Sequence, residues 1–214
     1  MFLDRRDAGA KLASKLLKYK DNKDVLVLAL PRGGVMTGYE TALALRVPMD
    51  VLIVRKIGVP WQPELAAGAL SETGALVINK LVVSGYKISK EFLEKEVSRQ
   101  KEEISRRIEL YRNGKGIACL EDKIIILIDD GVATGATMKA AVETLREAKI
   151  RKLVVALPVS PADTAEELRG MSDEFVCIET HDDFLAVGNY YQDFTQVSDE
   201  EVVDLLERLK KEKG

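Results

Sequence analysis

Apolar runs alternate with helical patterns along most of this chain, and that alternation predicts its architecture. A continuous apolar run of five or more residues is typical of a parallel strand, because such a strand is covered on both faces. Between the runs, apolar residues recur every three or four positions, as on the buried stripe of a helix. We therefore expect an α/β fold, a Rossmann-like parallel sheet of about five strands with helices on both faces. The predicted strands are 24–30, 49–58, 124–128, 151–159 and 174–180.

Three segments depart from this rhythm. Between residues 57 and 80, two short apolar stretches flank Glu72-Thr73-Gly74, which predicts a hairpin. Residues 89–112 carry a long helical stripe that ends at Asn113-Gly114. This stripe is interpreted mainly as packing, with a dimer surface as the alternative. The tail from residue 180 gathers aromatic side chains, and Ser198 with Glu201 forms a capping box for a last helix.

Composition limits what the chain can be. With 214 residues, 46% of them hydrophobic, it is long enough for one good core, so a single domain over 1–214 is expected. A net charge of −3 gives no general attraction to nucleic acid. The amino-terminal residues are too charged for a signal peptide, and no apolar run approaches the ~20 residues of a membrane span, so a cytoplasmic location without a membrane partner is predicted. Cys119 and Cys177 are expected to be buried free thiols.

The most informative stretch is DDGVATGAT, residues 129–137. Two acids end a predicted strand, and a loop of small residues leads into a helix, whose first N–H groups and dipole favour an anion. Carboxylates beside such a loop suit a ligand that carries both a phosphate and a diol, as ribose 5-phosphate does. A Walker A loop would need Lys after its last glycine, and G-x-G-x-x-G is absent. The remaining alternative is a tight turn with two exposed acids.

These residues resemble the phosphoribosyl-pyrophosphate signature of the type I phosphoribosyltransferases. The resemblance implies that Asp129 and Asp130 bind the ribose hydroxyls and take part in catalysis. The loop that follows would bind the 5-phosphate through Gly131, Val132, Ala133, Thr134, Gly135, Ala136 and Thr137. One departure concerns Ala133, since the enzymes for 6-oxopurines carry a further acid there. Hypoxanthine or guanine as the acceptor is therefore in doubt.

A second glycine-rich turn, PRGG at 31–34, follows the first strand. By itself this turn is interpreted as structural, but beside the first site the resemblance implies a pyrophosphate cradle of Arg32, Gly33 and Gly34, often with a cis peptide. Arg55 and Lys56 fall at the end of a predicted strand and could reach the same pyrophosphate, or could serve solubility alone. Arg32 and Lys56 are the candidates for neutralising charge during catalysis. Magnesium is expected to arrive on the substrate, and a dedicated metal site at His181, Asp182 and Asp183 is disfavoured.

The resemblance also assigns roles to the three irregular segments: a flap at about 57–80, a helical insertion at about 89–113, and hood elements at about 180–214 that cover the acceptor. Phe184, Tyr191 or Phe194 could stack on the acceptor base, and ordinary packing is the alternative for each. Trp61, in the flap, is interpreted as a packing residue, with a hinge anchor as the alternative. A homodimer is expected.

Together these features predict a phosphoribosyltransferase that moves the phosphoribosyl group from phosphoribosyl pyrophosphate to a nitrogen acceptor, a nucleobase, in nucleotide metabolism. The alternative is a non-catalytic protein of the same fold that senses phosphoribosyl pyrophosphate or a nucleotide. A helix-turn-helix segment, which a regulator of that kind usually adds, is not found. No side chain stands out as a general base.

Overall fold

A computed structural model describes residues 1–211, apart from the side chains of residues 63, 64 and 210. The strands are β1 Val25–Ala29, β2 Met49–Val51, β3 Val54–Val59, β4 Gln62–Ser71, β5 Leu76–Ile78, β6 Ile124–Ile128, β7 Lys152–Pro161 and β8 Glu174–His181. The α-helices are α1 Arg5–Lys15, α2 Gly33–Leu45, α3 Lys80–Gly85, α4 Lys90–Arg112, α5 Ala136–Glu147, α6 Ala162–Met171 and α7 Asp199–Lys211.

Five strands form one parallel sheet in the order β2-β1-β6-β7-β8. Alternate residues of each central strand enter two hydrophobic cores, as the two-residue repeat of a strand requires. Val25 and Val27 pack with α1, α2 and α7, whereas Leu26 and Leu28 pack with α5 and α6. The predicted fold class, a five-stranded parallel sheet with helices on both faces, is confirmed.

The prediction of one strand over 49–58 was wrong. Met49–Val51 pairs with β1 as an edge strand of the parallel sheet, and the chain then leaves the sheet. Val54–Val59 instead pairs with β4 in an antiparallel sheet of three strands, β3-β4-β5. The unbroken apolar run hides this change, because Leu52 and Ile53 are buried at the crossing point between the two sheets. The hairpin turn predicted at 72–74 is present between β4 and β5.

Helix α4 follows its predicted limits, with Ser89 capping its first turn and Asn113 in the left-handed conformation at its end. Its apolar stripe packs against the rest of the chain. Val97 contacts both the hydrophobic cluster of β3 and β4 and the core shared by β1, α1, α2 and α7, and Tyr111 is buried. The hairpin and α4 together form a wall beside the parallel sheet.

Two predictions about single residues were wrong. Trp61 is 67% exposed and therefore does not pack, and Cys119 is exposed on the loop before β6. Cys177 is half-buried in β8, where burial raises its pKa to about 11, so this thiol is a poor nucleophile at neutral pH. No helix within residues 1–211 has both the length and the hydropathy needed to cross a bilayer.

The segment between β8 and α7 returns to the beginning of the chain. Phe2 and Tyr191 form a parallel bridge, and the amides of Gln192 and Asp193 donate to the carbonyls of Phe2 and Leu3 at 2.9 Å. The predicted capping box is present, since Ser198 and Glu201 exchange side-chain and backbone hydrogen bonds at 2.7 and 3.1 Å. The amino terminus and this late segment therefore form one layer over the carboxyl edge of the sheet.

Candidate functional site

The two glycine-rich loops meet because their strands are neighbours. β1 and β6 pair in parallel register, with Ala29 opposite Ile128, so the turns that follow them emerge side by side. The amide of Leu30 donates to the carbonyl of Ile128 at 2.9 Å at the last point of pairing. In open α/β sheets, ligands bind at this carboxyl edge of the strands. Residues far apart in sequence thus share one site.

The PRGG turn lies directly against the two acids. A Cβ on Gly33 would stand 1.9 Å from Oδ2 of Asp130, and one on Gly34 would stand 2.8 Å from Oδ1 of Asp129. Only glycine leaves room for this approach. The Pro31–Arg32 peptide bond is cis, as predicted for this turn.

The two carboxyl groups differ in their surroundings. Asp130 accepts from Nε of Arg5 at 2.6 Å, whereas no cation among the described residues lies within 4.0 Å of Asp129. Burial, and then the negative charge of Asp130, raise the pKa of Asp129 well above its usual range. Burial also raises the pKa of Asp130, and the charge of Arg5 opposes that rise. Asp129 is therefore the harder of the two carboxyl groups to ionise.

Each carboxyl group uses one oxygen inside the protein. Oδ1 of Asp129 accepts the amide of Asp130 at 2.8 Å, and Oδ2 of Asp130 is held by Arg5. Among the described residues, no N–H group donates to the second oxygen of either carboxyl group. Two such oxygens on adjacent residues could accept hydrogen bonds from a vicinal diol.

The loop from Gly131 to Thr137 presents its backbone to the opening of the site. Gly131 and Gly135 have positive φ angles of 151° and 67°, and Gly135 precedes the first turn of α5. Val132 is buried and its amide donates to Val159, so it anchors the loop, while Ala133 and Thr134 are exposed. The amides of the first three residues of α5, positions 136–138, find no acceptor among the described residues. These donors are suited to a phosphate.

A polar cavity of about 500 Å³ lies beside this loop, between the PRGG turn, β3 and α4. Pro31, Arg55, Lys56 and Thr137 line it, so the structure brings the predicted basic pair and the phosphate loop to one space. Arg55 is half-buried and has no carboxylate partner within 4.0 Å in the described chain. Burial and the charge of Arg107 lower its pKa, so a bound anion would relieve an uncompensated cation.

Helix α4 contributes residues to this cavity that the sequence did not indicate. Arg99 and Gln100 line it, and Oε1 of Gln100 accepts from Nε of Arg55 at 3.0 Å. Gln100 is only 3% exposed and also donates to Glu96 at 2.6 Å, while Arg99 pairs with the same Glu96. In the sequence these residues belong to an ordinary charged helix, and no local signal separates them from their neighbours.

Arg32 is not among the residues that line this cavity, whereas the adjacent Pro31 is. The positive charge of its guanidinium slightly lowers the pKa of Tyr111, against the larger effect of burial. No described carboxylate lies within 4.0 Å of this guanidinium. Its predicted role at a pyrophosphate therefore stays a prediction.

The three aromatic candidates for base stacking have different surroundings. Tyr191 is 6% exposed, and its hydroxyl donates to the backbone carbonyl of Asp130, so it supports the acid pair from behind. One face of the Phe194 ring is covered by the guanidinium of Arg5, at 3.8 Å from the ring centroid. Phe184 stacks on Tyr190 with ring centroids 4.9 Å apart. Stacking on a base stays a prediction for all three.

Arg5 is a further site residue that the sequence did not indicate. The sequence places it in a packing helix with no direct chemistry, yet it is 7% exposed and contacts Asp130, Phe194 and the carbonyl of Thr195. A charged residue at the first position of an amphipathic helix is ordinary. Only the fold shows that its side chain turns inward.

Across residues 1–211, no group of three or more His, Cys, Asp or Glu side chains is arranged to hold a metal ion. His181 contacts Glu179 at 3.3 Å and stacks on Tyr190. Mg²⁺ that arrives on substrate oxygens needs no such group, because it keeps several waters and takes few ligands from the protein.

Comparisons with known proteins identify the family of this chain. The family model described as the phosphoribosyl transferase domain matches residues 3–195. The crystal structure of TT1426 from Thermus thermophilus is similar with a TM-score of 0.83 and 40% identity, covering 98% of this chain and 99% of that one. A purine phosphoribosyltransferase from Pyrococcus horikoshii, at 17% identity and a TM-score of 0.49, is too distant to indicate an acceptor.

Among curated proteins, Rv0571c of Mycobacterium tuberculosis, named provisionally as a phosphoribosyl transferase, is 45% identical over 208 residues. Its counterpart MT0597 in a second strain matches equally. The alignment covers 97% of this chain and 47% of those proteins, so the chain spans about half the length of the curated relatives it matches.

Proposed function

The chain belongs to the phosphoribosyl transferase domain family, and from this premise we propose that it transfers a 5-phosphoribosyl group from phosphoribosyl pyrophosphate to a nitrogen acceptor. One observation carries the proposal: two carboxyl groups, each with one oxygen not bonded to an N–H group, are followed by unbonded helix amides, and both loops adjoin a basic cavity. The substrate carries a diol, a phosphate and a pyrophosphate, one for each of these features.

In the proposed reaction, the bond between ribose C1 and the pyrophosphate oxygen breaks and a bond from C1 to the acceptor nitrogen forms. The bonding electrons leave with pyrophosphate, and the acceptor nitrogen loses its proton. Positive charge develops on the ribose ring as the leaving group departs. The nearby carboxyl groups are placed to stabilise that charge, and catalysis consists mainly of positioning and charge neutralisation.

The basic cavity would receive the pyrophosphate. Among the described residues, Arg55 has no acidic partner within 4.0 Å, and Lys56 and Arg99 line the same space. Arg32 follows Pro31, which also lines it. Bound Mg²⁺ would neutralise part of the pyrophosphate charge. The protein's own share of this task falls to these guanidinium and ammonium groups.

The acceptor is proposed to be a nucleobase, and the chain is proposed to work as a homodimer in nucleotide metabolism. An apolar, aromatic layer from Phe184 to Phe194 lies next to the acid pair and could hold a planar ring. Ala133 occupies the exposed loop position where a proton-transferring acid would be needed for a 6-oxopurine. This favours another class of base.

The test is turnover. The protein is incubated with phosphoribosyl pyrophosphate, Mg²⁺ and a panel of purine and pyrimidine bases, and released pyrophosphate is measured. Release with at least one base is expected. Asp129→Asn and Asp130→Asn should each reduce it by about 100-fold or more, because each replaces a carboxyl oxygen that would accept from the ribose diol with an NH2 group that cannot accept. Asp204→Asn, at an exposed position on α7 paired with Arg208, is the matched control and should leave the rate unchanged.

Two outcomes would contradict this assignment. Tight binding of phosphoribosyl pyrophosphate without release for any base would favour the sensor alternative. Unchanged binding in Asp129→Asn and Asp130→Asn would remove the diol assignment.

A further inference from the structure

Arg5 is the buried cation nearest to the acid pair, and it comes from the amino-terminal helix rather than from either loop. Its side chain makes three contacts, one with Asp130 and two with the segment Phe194–Thr195. Nε donates to Oδ2 of Asp130 at 2.6 Å, Nη1 donates to the carbonyl of Thr195 at 2.8 Å, and the guanidinium plane lies 3.8 Å from the centroid of Phe194. The planar fork of arginine suits such a divided arrangement.

We propose that Arg5 is a positioning residue that fixes the orientation of the Asp130 carboxylate and couples it to the segment Phe194–Thr195. This inference rests on the proposed function, because the carboxylate it orients is the proposed diol acceptor. The role goes beyond the two loops of the family signature, since Arg5 lies 125 positions before the acid it holds.

Geometry explains why one oxygen of Asp130 must be held. Oδ2 is enclosed between Arg5 and the Cα of Gly33, where a Cβ would lie 1.9 Å from that oxygen and 3.0 Å from Nε of Arg5. With Oδ2 enclosed in this way, Oδ1 is the atom that can accept from a ligand. Without the guanidinium, the carboxylate could rotate about its last bond and lose this presentation.

The contact with Thr195 extends the effect to the carboxyl-terminal layer. Tyr191 donates directly to the backbone carbonyl of Asp130, whereas Phe194 and Thr195 meet the Asp130 carboxylate only through Arg5. A ligand that tightens the position of that carboxylate should therefore tighten residues 194 and 195, and this linkage should pass through Arg5.

Charge supports the same role. Arg5 lowers the pKa of Asp130 against the effect of burial, so its loss should move ionisation of Asp130 to higher pH. A hydrogen bond from Asp129 also lowers the pKa of Asp130. The other charged or titratable groups around this pair come from α1 and the carboxyl-terminal layer. They are Asp7, Tyr191 and Asp193.

The experiment compares two ligands at several pH values by calorimetry. Ribose 5-phosphate reports on the acids and the loop together, and inorganic phosphate reports on the loop alone. In Arg5→Met, ribose 5-phosphate should bind about 10- to 100-fold more weakly at neutral pH, as expected for losing the fixed geometry of charge-assisted hydrogen bonds. Phosphate should bind within about twofold of wild type, the precision expected for a site that has not changed. The pH dependence of ribose 5-phosphate binding should move to higher pH.

Two further variants complete the set. Arg5→Lys keeps the charge but not the fork, so its affinity should lie between those of wild type and Arg5→Met. Arg6→Met is the matched control, because Arg6 is exposed and pairs with Glu40. In wild type, ribose 5-phosphate should also slow amide exchange of residues 194 and 195, and this protection should be lost in Arg5→Met.

Several results would overturn the inference. Equal loss of phosphate and ribose 5-phosphate binding, with no change in pH dependence, would mean that Arg5 only supports the fold. Wild-type affinity of Arg5→Met for ribose 5-phosphate would also overturn the inference. If Arg5→Met does not fold, wild-type affinity of Arg5→Lys for the same ligand would overturn it instead. A wild-type protein that binds neither ribose 5-phosphate nor phosphoribosyl pyrophosphate would remove the proposed function, and this inference with it.

Discussion

The site has two walls of different construction. The sheet-edge wall consists of residues 31–34 and 129–137, which follow neighbouring strands and offer mainly backbone groups and two acids. The hairpin wall consists of side chains from β3 and α4, with Arg55, Arg99 and Gln100 held by one another and by Glu96. Strand register fixes the first wall. The second depends on side-chain contacts between elements that meet only by packing.

This difference predicts how the walls respond to substitution. Glycine positions should be critical on the sheet-edge wall, where the backbone approaches the acids. Loss of a single charge on the hairpin wall should reduce ligand affinity less. An exposed cation that already pairs with an acid gains little free energy when it exchanges that acid for a ligand anion. The hairpin wall should, however, be sensitive to the loss of the contact that attaches it to the domain.

The largest expected effect is on that attachment. Arg112, at the end of α4, forms a buried ion pair with Glu72 of the hairpin, and Asp50 of β2 lies 3.6 Å from its Nη1. Arg112→Met leaves Glu72 without its cation in a buried place, so the free energy of unfolding should fall by about 3–5 kcal/mol. Urea denaturation measures this. Arg208→Met, which breaks an exposed pair, should change the same quantity by less than ~1 kcal/mol. A small effect of Arg112→Met would mean that the hairpin wall is held by its apolar contacts.

Next in size is the response of the sheet-edge wall to one methyl group. In Gly33→Ala the new Cβ would occupy the position of Oδ2 of Asp130, so the acid or the turn must move. Binding of phosphoribosyl pyrophosphate should weaken by roughly 100-fold, the effect expected for a shift of about 1 Å at a reacting group. Gly170→Ala in α6 is the control, because a Cβ there meets nothing within 4 Å. Calorimetry on both variants would show whether the close approach is required.

A smaller effect is expected at Arg99. Replacing Arg99 by Ala removes one cation from the 500 Å³ cavity, and pyrophosphate affinity should fall by roughly two- to fivefold, less at high salt. Arg106→Ala is the matched control on the same helix, since Arg106 pairs with Glu103 and does not line that cavity. Equal effects of both variants would show that only the general charge of α4 matters.

The smallest effect concerns stability at the acid pair. Because the pKa of Asp129 is raised in the folded state, the folded protein binds more protons than the unfolded chain, and stability is lost as pH rises above the unfolded value. Asp129→Asn keeps the oxygen that accepts the amide of Asp130 but removes this cost, so Tm should increase at pH 7 to 8. Each kcal/mol relieved corresponds to about 2–4 °C in a domain of this size.

The Tm difference between Asp129→Asn and wild type should disappear below about pH 4, where an aspartate is protonated in both states. Thermal melts across pH measure it. A lower Tm for Asp129→Asn at neutral pH would contradict the assignment of the raised pKa to Asp129.

Much of the sheet-edge wall could be predicted from the sequence, because its parts are consecutive. The apolar run 124–128, the two acids and the small-residue loop are local signals, and the turn at 31–34 follows another such run. The limits of α4 were equally predictable, from Ser89 at its start and Asn113-Gly114 at its end. The chain's exit from the sheet after Val51 was missed, because a buried crossing between two sheets has the same apolar composition as a strand.

The sequence by itself thus determined the central strands of the parallel sheet, the helices that follow them and the residue types of the turn at 129–137, since these depend on residues close together in the chain. Only the tertiary structure decided which charges face that turn. Arg5 and Arg99 lie on helices whose local patterns resemble ordinary solvated faces, and their side chains reach the site through the packing of α1 and α4. The orientation of a side chain between distant elements is set by the space those elements leave, and no local pattern encodes that space.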